Sequence, residues 1–256
     1  MLEQSNVIYS KNNIVLLNND FLKVDLSNYV NQIDLIITSP PYNVGVQYDQ
    51  HNDKVSYKQY MNFTANWLTK AYNLLKDDGR ICINVPIIAN NLNEIVPLSS
   101  DVLHVAMQIG FKYRATIIWN KKHIKNRLKW GSWLSATTPY ISSPAETILV
   151  LFKKVWRKKK RGSTDITKKE FLSWVIGLWE FSGESRTKIK HPAPFPVELP
   201  RRCIKLFAYT TDIILDPFSG SGTTLVAARK EQRKCIGIEI SKEYCNLAVQ
   251  RLEKEG

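Results

Sequence analysis

The sequence contains no apolar run long enough to cross a membrane, and it opens without the basic-then-apolar pattern of a secretory leader. A soluble chain working in the cytoplasm is the expectation, with no membrane partner. Cysteine is scarce: Cys82, Cys203, Cys235 and Cys245 stand singly in apolar surroundings, without the paired spacing of a zinc site. They read as reduced core residues, and no metal site is expected. Acidic residues are also short, with 23 Asp and Glu against 36 Lys and Arg, a formal charge of +13. The excess is uneven. Between Lys153 and Lys190, twelve Lys and Arg face four acids, which suits a polyanionic partner better than general solubility. Apolar residues still make up 44% of the 256, enough for one large α/β domain or a domain carrying an insertion.

Thr38 to Asn43, reading TSPPYN, follows the apolar run Ile33-Asp34-Leu35-Ile36-Ile37, which predicts a buried strand. Ser39-Pro40-Pro41-Tyr42 then makes a stiff turn, because each proline fixes φ and the residue before a proline is held extended. Neither proline has an N–H, so carbonyls at this corner lack their usual ladder and can face a ligand. The Tyr42 ring stands beside them. Such a corner suits a flat base, stacked on the ring and hydrogen-bonded through its amino group. Taken alone, Pro-Pro could equally end a strand and do nothing more.

Further strands are predicted around residues 14–17, 80–85, 113–119, 147–152, 213–215 and 234–238. Helices fall between them, the one through Trp67 and Leu75 closing at Asp78-Gly79 and the last starting at Ser241. That alternation predicts an α/β fold with a doubly wound, mostly parallel sheet. Asp20 and Phe21 follow the first of these strands, where such sheets place ligand-binding groups, though Asp20 also fits a helix N-cap. After Trp119 the pattern breaks. Lys121, Lys122, Lys125 and Arg127 are interleaved with Trp130 and Trp133, and Lys153, Lys154, Arg157, Lys158, Lys159, Lys160 and Arg161 form a basic run. Basic residues among tryptophans suit phosphate contacts beside stacking groups, whereas a charge run by itself is usually a solvated face. The chain divides into 1–152, a basic insertion at 153–190, and 191–256.

Asp216-Pro217-Phe218-Ser219-Gly220-Ser221-Gly222-Thr223-Thr224 leaves a short strand and enters a helix. Gly220 and Gly222 permit a tight bend and close approach of a ligand to the backbone, and the helix start offers free N–H groups. No Gly-Lys-Ser/Thr follows, so this is not a P-loop. Glu239 closes the next strand, where a carboxylate can accept hydrogen bonds from both hydroxyls of a ribose; a cap or a surface residue would also fit there.

These stretches together resemble the DNA amino-methyltransferases that use S-adenosyl-L-methionine, over nearly the whole chain. Thr38 to Asn43 is similar to the family's catalytic motif in its Ser-Pro-Pro-Tyr form, and Asp216 to Thr224 to its cofactor loop. His191 to Leu199 resembles the stretch that helps cover the cofactor. Catalytic motif first, basic insertion next and cofactor loop last is the permuted order of the beta class. The resemblance implies a seven-stranded methyltransferase sheet with an inserted target-recognition region. It implies that Glu239 holds the ribose, Asp20 accepts from the adenine amino group, and Ser219 to Gly222 line the methionine part, with Thr223 on its carboxylate. Asp216, Phe21, Phe195 and Phe218 are carried over with the same pocket, Phe218 chiefly as packing.

The implied partner is double-stranded DNA, with a cognate restriction endonuclease and a homodimer as further associations. The implied reaction needs no covalent intermediate, and no cysteine lies in the Pro-Cys setting of carbon-5 cytosine methylation. Ser39 and the Pro40 carbonyl would accept the amino hydrogens of a flipped-out base, with Tyr42 stacked on it. N4 of cytosine is the expected target. N6 of adenine is the alternative, more often associated with Asp before Pro-Pro-Tyr and with Lys where Phe195 stands. A DNA-binding homologue without catalysis, and methylation of RNA or a protein amide, are the remaining alternatives.

Overall fold

Strand Ile33–Thr38 is buried at all six positions, which requires cover on both faces of its sheet. The alternation divides the cover cleanly. Leu35 and Ile37 enter one core with Ile14, Leu16, Val150 and Ile214, while Ile36 enters another with Leu17, Ile81, Leu149 and Leu215. The chain, seen in a computed structural model, is described over residues 6–42, 55–91, 94–121, 131–141, 143, 145–183 and 195–255.

In chain order the elements are β1 (Val7–Lys11), β2 (Ile14–Asn18), β3 (Ile33–Thr38), α1 (Tyr57–Leu74), β4 (Leu75–Pro86), the ribbon β5 (Ala89–Asn91) and β6 (Glu94–Val96), and α2 (Leu98–Ile109). There follow β7 (Lys112–Asn120), β8 (Ala145–Phe152), α3 (Lys168–Trp174), β9 (Leu178–Glu180), α4 (Glu198–Phe207), β10 (Ile213–Asp216), α5 (Thr223–Lys230), β11 (Lys234–Glu239) and α6 (Lys242–Glu255). The main sheet has nine strands in the order β1-β2-β11-β10-β3-β4-β8-β7-β9. Strands β2 to β4 of that order are all parallel, β1 and β8 are antiparallel to their neighbours, and β9 joins β7 in parallel. The inner seven are the methyltransferase sheet; β1 and β9 extend its two edges.

Helix α1 begins at a capping box, Ser56 accepting from the Gln59 N–H, and buries Tyr60, Thr64, Trp67, Leu68 and Ala71 on one stripe. It ends at Leu74, four residues before the Asp78-Gly79 signal. Between the pairs Ile33–Leu75 and Leu35–Arg80, β3 spends one residue and β4 spends four, so Asp78-Gly79 marks a bulge within a strand.

The basic run also lies elsewhere than expected. It follows β8, which descends against β4, so it lies beneath the starts of the parallel strands, at the end of the sheet away from Ser39. There it forms a strap. Lys153 is buried, its amine on Leu75 O and Asn31 Oδ1; Lys154 pairs with Asp77 at 3.1 Å; Lys159 Nζ pairs with Asp77 and its N–H donates to Asp78. Lys158 has 8% of its side chain exposed and lies 2.9 Å from Asp212 and 3.5 Å from Asp34. The amines of Lys153 and Lys158 are enclosed by partners inside the protein, away from the expected DNA contact, while Lys154 and Lys159 pair with Asp77 and remain exposed. Arg157, Lys160 and Arg161 are exposed on the same strap, remote from the site. Nor do the described residues of that segment, 153–183, stand wholly outside the sheet, since β9 belongs to it and α3 docks on α4 through Glu170, Arg201 and Lys205.

From β3 the chain passes through α1 to β4 on one side, and from β10 through α5 to β11 on the other. The crevice above the ends of β3 and β10 is thus the topological switch point, where α/β sheets bind ligands. The TSPPYN corner leaves β3 there and the glycine loop leaves β10 there.

Candidate active site

A cavity of about 410 Å³ opens at this switch point, within the size range of small-molecule sites. The structure brings nearly all the expected pocket residues to it. Ser39, Pro40, Pro41 and Tyr42 form one wall, and Ser219, Gly220, Ser221 and Thr223 another. Asp20, Phe21, Phe195, Phe218 and Glu239 complete the lining. Asp216 and Gly222 lie behind it.

Tyr42 is held by its hydroxyl, which donates to the Asn84 carbonyl and accepts from Asn84 Nδ2, both at 3.1 Å. Ser39 Oγ makes a short hydrogen bond to the same hydroxyl. A phenol has one proton to give. With that proton on Asn84 O, Ser39 must donate to Tyr42, and both Ser39 lone pairs stay available to the cavity. Asn84 in turn gives its second amide proton to Glu146 Oε2 at 2.6 Å, and Glu146 Oε1 accepts from Lys121. Lys121, expected on a phosphate, is here paired with a carboxylate two steps behind Tyr42. Asn84 and Glu146 are the residues that sequence reasoning missed. The interior of β4 and the start of β8 carry no motif, and only the antiparallel pairing of these strands, with Glu146 opposite Pro86 and Ile148 opposite Asn84, brings the two side chains within reach.

The cofactor loop is drawn tight by its neighbours. Gly222 holds φ at +78°, and a Cβ there would lie 2.7 Å from the Ala248 Cβ. Glu239 is buried; its Oε2 accepts from Gly220 N at 2.7 Å and its Oε1 from Ser241 N at 2.8 Å. Burial pushes its carboxyl up, and these two N–H groups work in the opposite direction. A carboxylate has about four acceptor positions, so these two N–H groups leave acceptor capacity on Glu239. Asp216 is fully buried and accepts from Thr38 Oγ1 at 3.0 Å and Phe218 N at 3.1 Å, joining the two loops. Its pKa is pushed up to about 6, mainly by burial.

Asp20 Oδ1 accepts from Leu22 N at 2.9 Å, capping a turn and not the helix that is the other reading, and the residue lines the cavity. Phe218 likewise lines it and packs edge-on to Phe21 and Trp67, with centroids 6.0 and 5.5 Å away. All four cysteines are free and buried, and burial pushes the Cys245 thiol up to about 12, the reverse of nucleophile activation. Lys122, Lys125, Arg127 and Trp130 lie outside the described residues, as do Asn43 and residues 191–194. Among the described residues no helix is long and apolar enough to cross a membrane.

A tight glycine loop with a carboxylate at the next strand end, set against a Ser-Pro-Pro-Tyr corner, is the arrangement of an amino-methyltransferase. The DNA methylase family matches residues 33–250, and the chain belongs to that family. It is 51% identical over 178 residues to Type II methyltransferase M.MjaVI of Methanocaldococcus jannaschii, spanning 70% of this chain and 90% of that one. TTHA0409 of Thermus thermophilus, solved in complex with S-adenosyl-L-methionine, matches with a TM-score of 0.73 at 26% identity, over 94% of this chain and 95% of that one. The PvuII DNA methyltransferase (cytosine-N4-specific) shares the fold, with a TM-score of 0.77 at 22% identity over 96% and 88% of the two chains.

Proposed function

We propose that this chain methylates the N4 amino group of cytosine in DNA, with S-adenosyl-L-methionine as the methyl donor. The bound donor supplies an electrophilic methyl group on a sulfonium. The observation that carries the reading is Ser39 at the cavity wall, hydrogen-bonded to Tyr42, with a hydroxyl oxygen that can accept from an amino group. An exocyclic amino nitrogen is a poor nucleophile because its lone pair is delocalised into the ring. Acceptance of its two hydrogens by Ser39 Oγ and the Pro40 carbonyl draws it towards tetrahedral geometry and frees that pair. The Tyr42 ring, fixed by Asn84, offers a flat face for a base turned out of the duplex. Fixed acceptors beside a held donor make positioning the main source of acceleration.

The preference for cytosine rests on the neutral Ser39, and on Phe195 in place of the Lys common in adenine-modifying relatives. For DNA contact the reading favours Lys122, Lys125, Arg127 and Trp130. Asn120 of β7 and Ala145 of β8, which flank them in the sequence, pair at the end of the sheet that carries Ser39. Ser39→Ala and Tyr42→Ala test the site. Both are expected to lose methyl transfer while still binding the donor by calorimetry; full activity in both would remove the corner from the chemistry.

A further inference from the structure

Arg251, on α6, carries a charge that the reaction described so far does not use. Only 10% of its side chain is exposed, and a buried guanidinium is tolerated only where its N–H groups are satisfied. Nη1 donates to Thr223 Oγ1 at 2.9 Å, to Ser221 O at 3.0 Å and to Ser221 Oγ at 3.2 Å, while Nε donates to Glu255 at 3.2 Å. Tyr244, Ala248 and Arg251 share one face of α6 by spacing, and all three are buried against the loop. Tyr244 lines the cavity, Ala248 meets Gly222, and Arg251 holds the residues on either side of that glycine.

We propose that Arg251 is a positioning residue for the carboxylate end of the methyl donor, acting through Thr223. The proposal rests on the reading that S-adenosyl-L-methionine occupies this cavity with its carboxylate at the start of α5. A hydroxyl has one proton and two lone pairs, and a guanidinium can only donate. Thr223 therefore accepts from Arg251 and must send its own proton elsewhere, and it lines the cavity. A cationic donor behind a hydroxyl polarises it, which strengthens the bond it gives to an anion. The need for such a device is visible in the lining. Lys23 is the one cation among the described lining residues, and its amine stands 3.8 Å from Asp20. Phe195 supplies no charge. Arg251 brings one to within a single hydroxyl of the pocket.

The test compares ligands with and without the carboxylate. Calorimetry of the full chain would measure S-adenosyl-L-homocysteine, which has it, and 5′-methylthioadenosine, which lacks the whole amino acid part. Arg251→Met should weaken S-adenosyl-L-homocysteine about tenfold or more, leave 5′-methylthioadenosine within about twofold, and be partly rescued by Arg251→Lys. Thr223→Val keeps the arginine in place and should show the same selective loss, which guards against a misfolded Arg251 variant. Equal losses for both ligands in Thr223→Val, or no loss in Arg251→Met, would overturn the proposal. A wild-type chain that binds both ligands equally would instead overturn the placement of the carboxylate on which it rests.

Discussion

Lys158→Met separates a charge that holds the fold from a charge that holds DNA. The Lys158 amine lies 2.9 Å from Asp212 and 3.5 Å from Asp34, with only 8% of the side chain exposed. Removing one partner of a buried ion pair costs about 3–5 kcal/mol, because the remaining charge is left without compensation. Two features place this case at the low end. Asp34 keeps Lys76 at 2.8 Å, and Asp212 keeps the Tyr209 N–H at 2.8 Å. A loss of about 3 kcal/mol, at roughly 2–4 °C per kcal/mol for a chain of this size, lowers Tm by about 6–12 °C. Urea or thermal unfolding reads that directly. Binding of a DNA duplex across a salt series, at a temperature where the variant is folded, reads the other possibility. A phosphate contact would lower the log–log slope by about 0.9, and the structure predicts no change. Unchanged stability together with a reduced slope would refute the reasoning.

Glu239→Ala removes the acceptor for Gly220 and Ser241 and, on the proposed function, for the donor's hydroxyls; at about 1.5–3 kcal/mol per charged hydrogen bond, donor affinity should fall more than tenfold, and calorimetry showing unchanged affinity would take Glu239 out of the site. Glu146→Leu leaves the Asn84 amide behind Tyr42 without its acceptor, so kcat should drop about tenfold or more with donor affinity intact. Equal kcat would mean that Asn84 holds its place unaided. Asp216→Asn should expose a pH effect. Because the native carboxyl binds its proton more tightly than the unfolded one, its contribution to stability falls as pH rises from about 4 to about 6. The wild type should therefore gain Tm relative to the variant as pH falls through that window, and a constant difference would argue against a raised pKa.

The pocket was legible because its chemistry sits in local sequence. A proline corner, a glycine turn and a strand-end acid each announce a backbone geometry, and the sheet topology brings them together. The strands around Ile36, Leu215 and Ile236 were equally plain, since both faces are apolar. What could not be read is pairing at long range. Lys158 and Asp34 are far apart in sequence, and nothing in a run of lysines says that two buried aspartates wait under it. The link from Asn84 through Glu146 to Lys121 depends likewise on the register of β4 with β8. Strand β9 was missed because Leu178-Trp179-Glu180 is too short to show a period, although Trp179 is fully buried.

The central claim is the identity of the methylated atom, and one measurement reaches it. Unmodified DNA is incubated with the purified chain and isotopically labelled S-adenosyl-L-methionine, digested to nucleosides, and the labelled product identified by mass and chromatography against standards. The account predicts N4-methylcytosine, absent when Ser39→Ala replaces the wild type. N6-methyladenine as the sole labelled nucleoside would contradict the choice of base, and label on carbon 5 of cytosine would contradict the mechanism built on Ser39 and Tyr42.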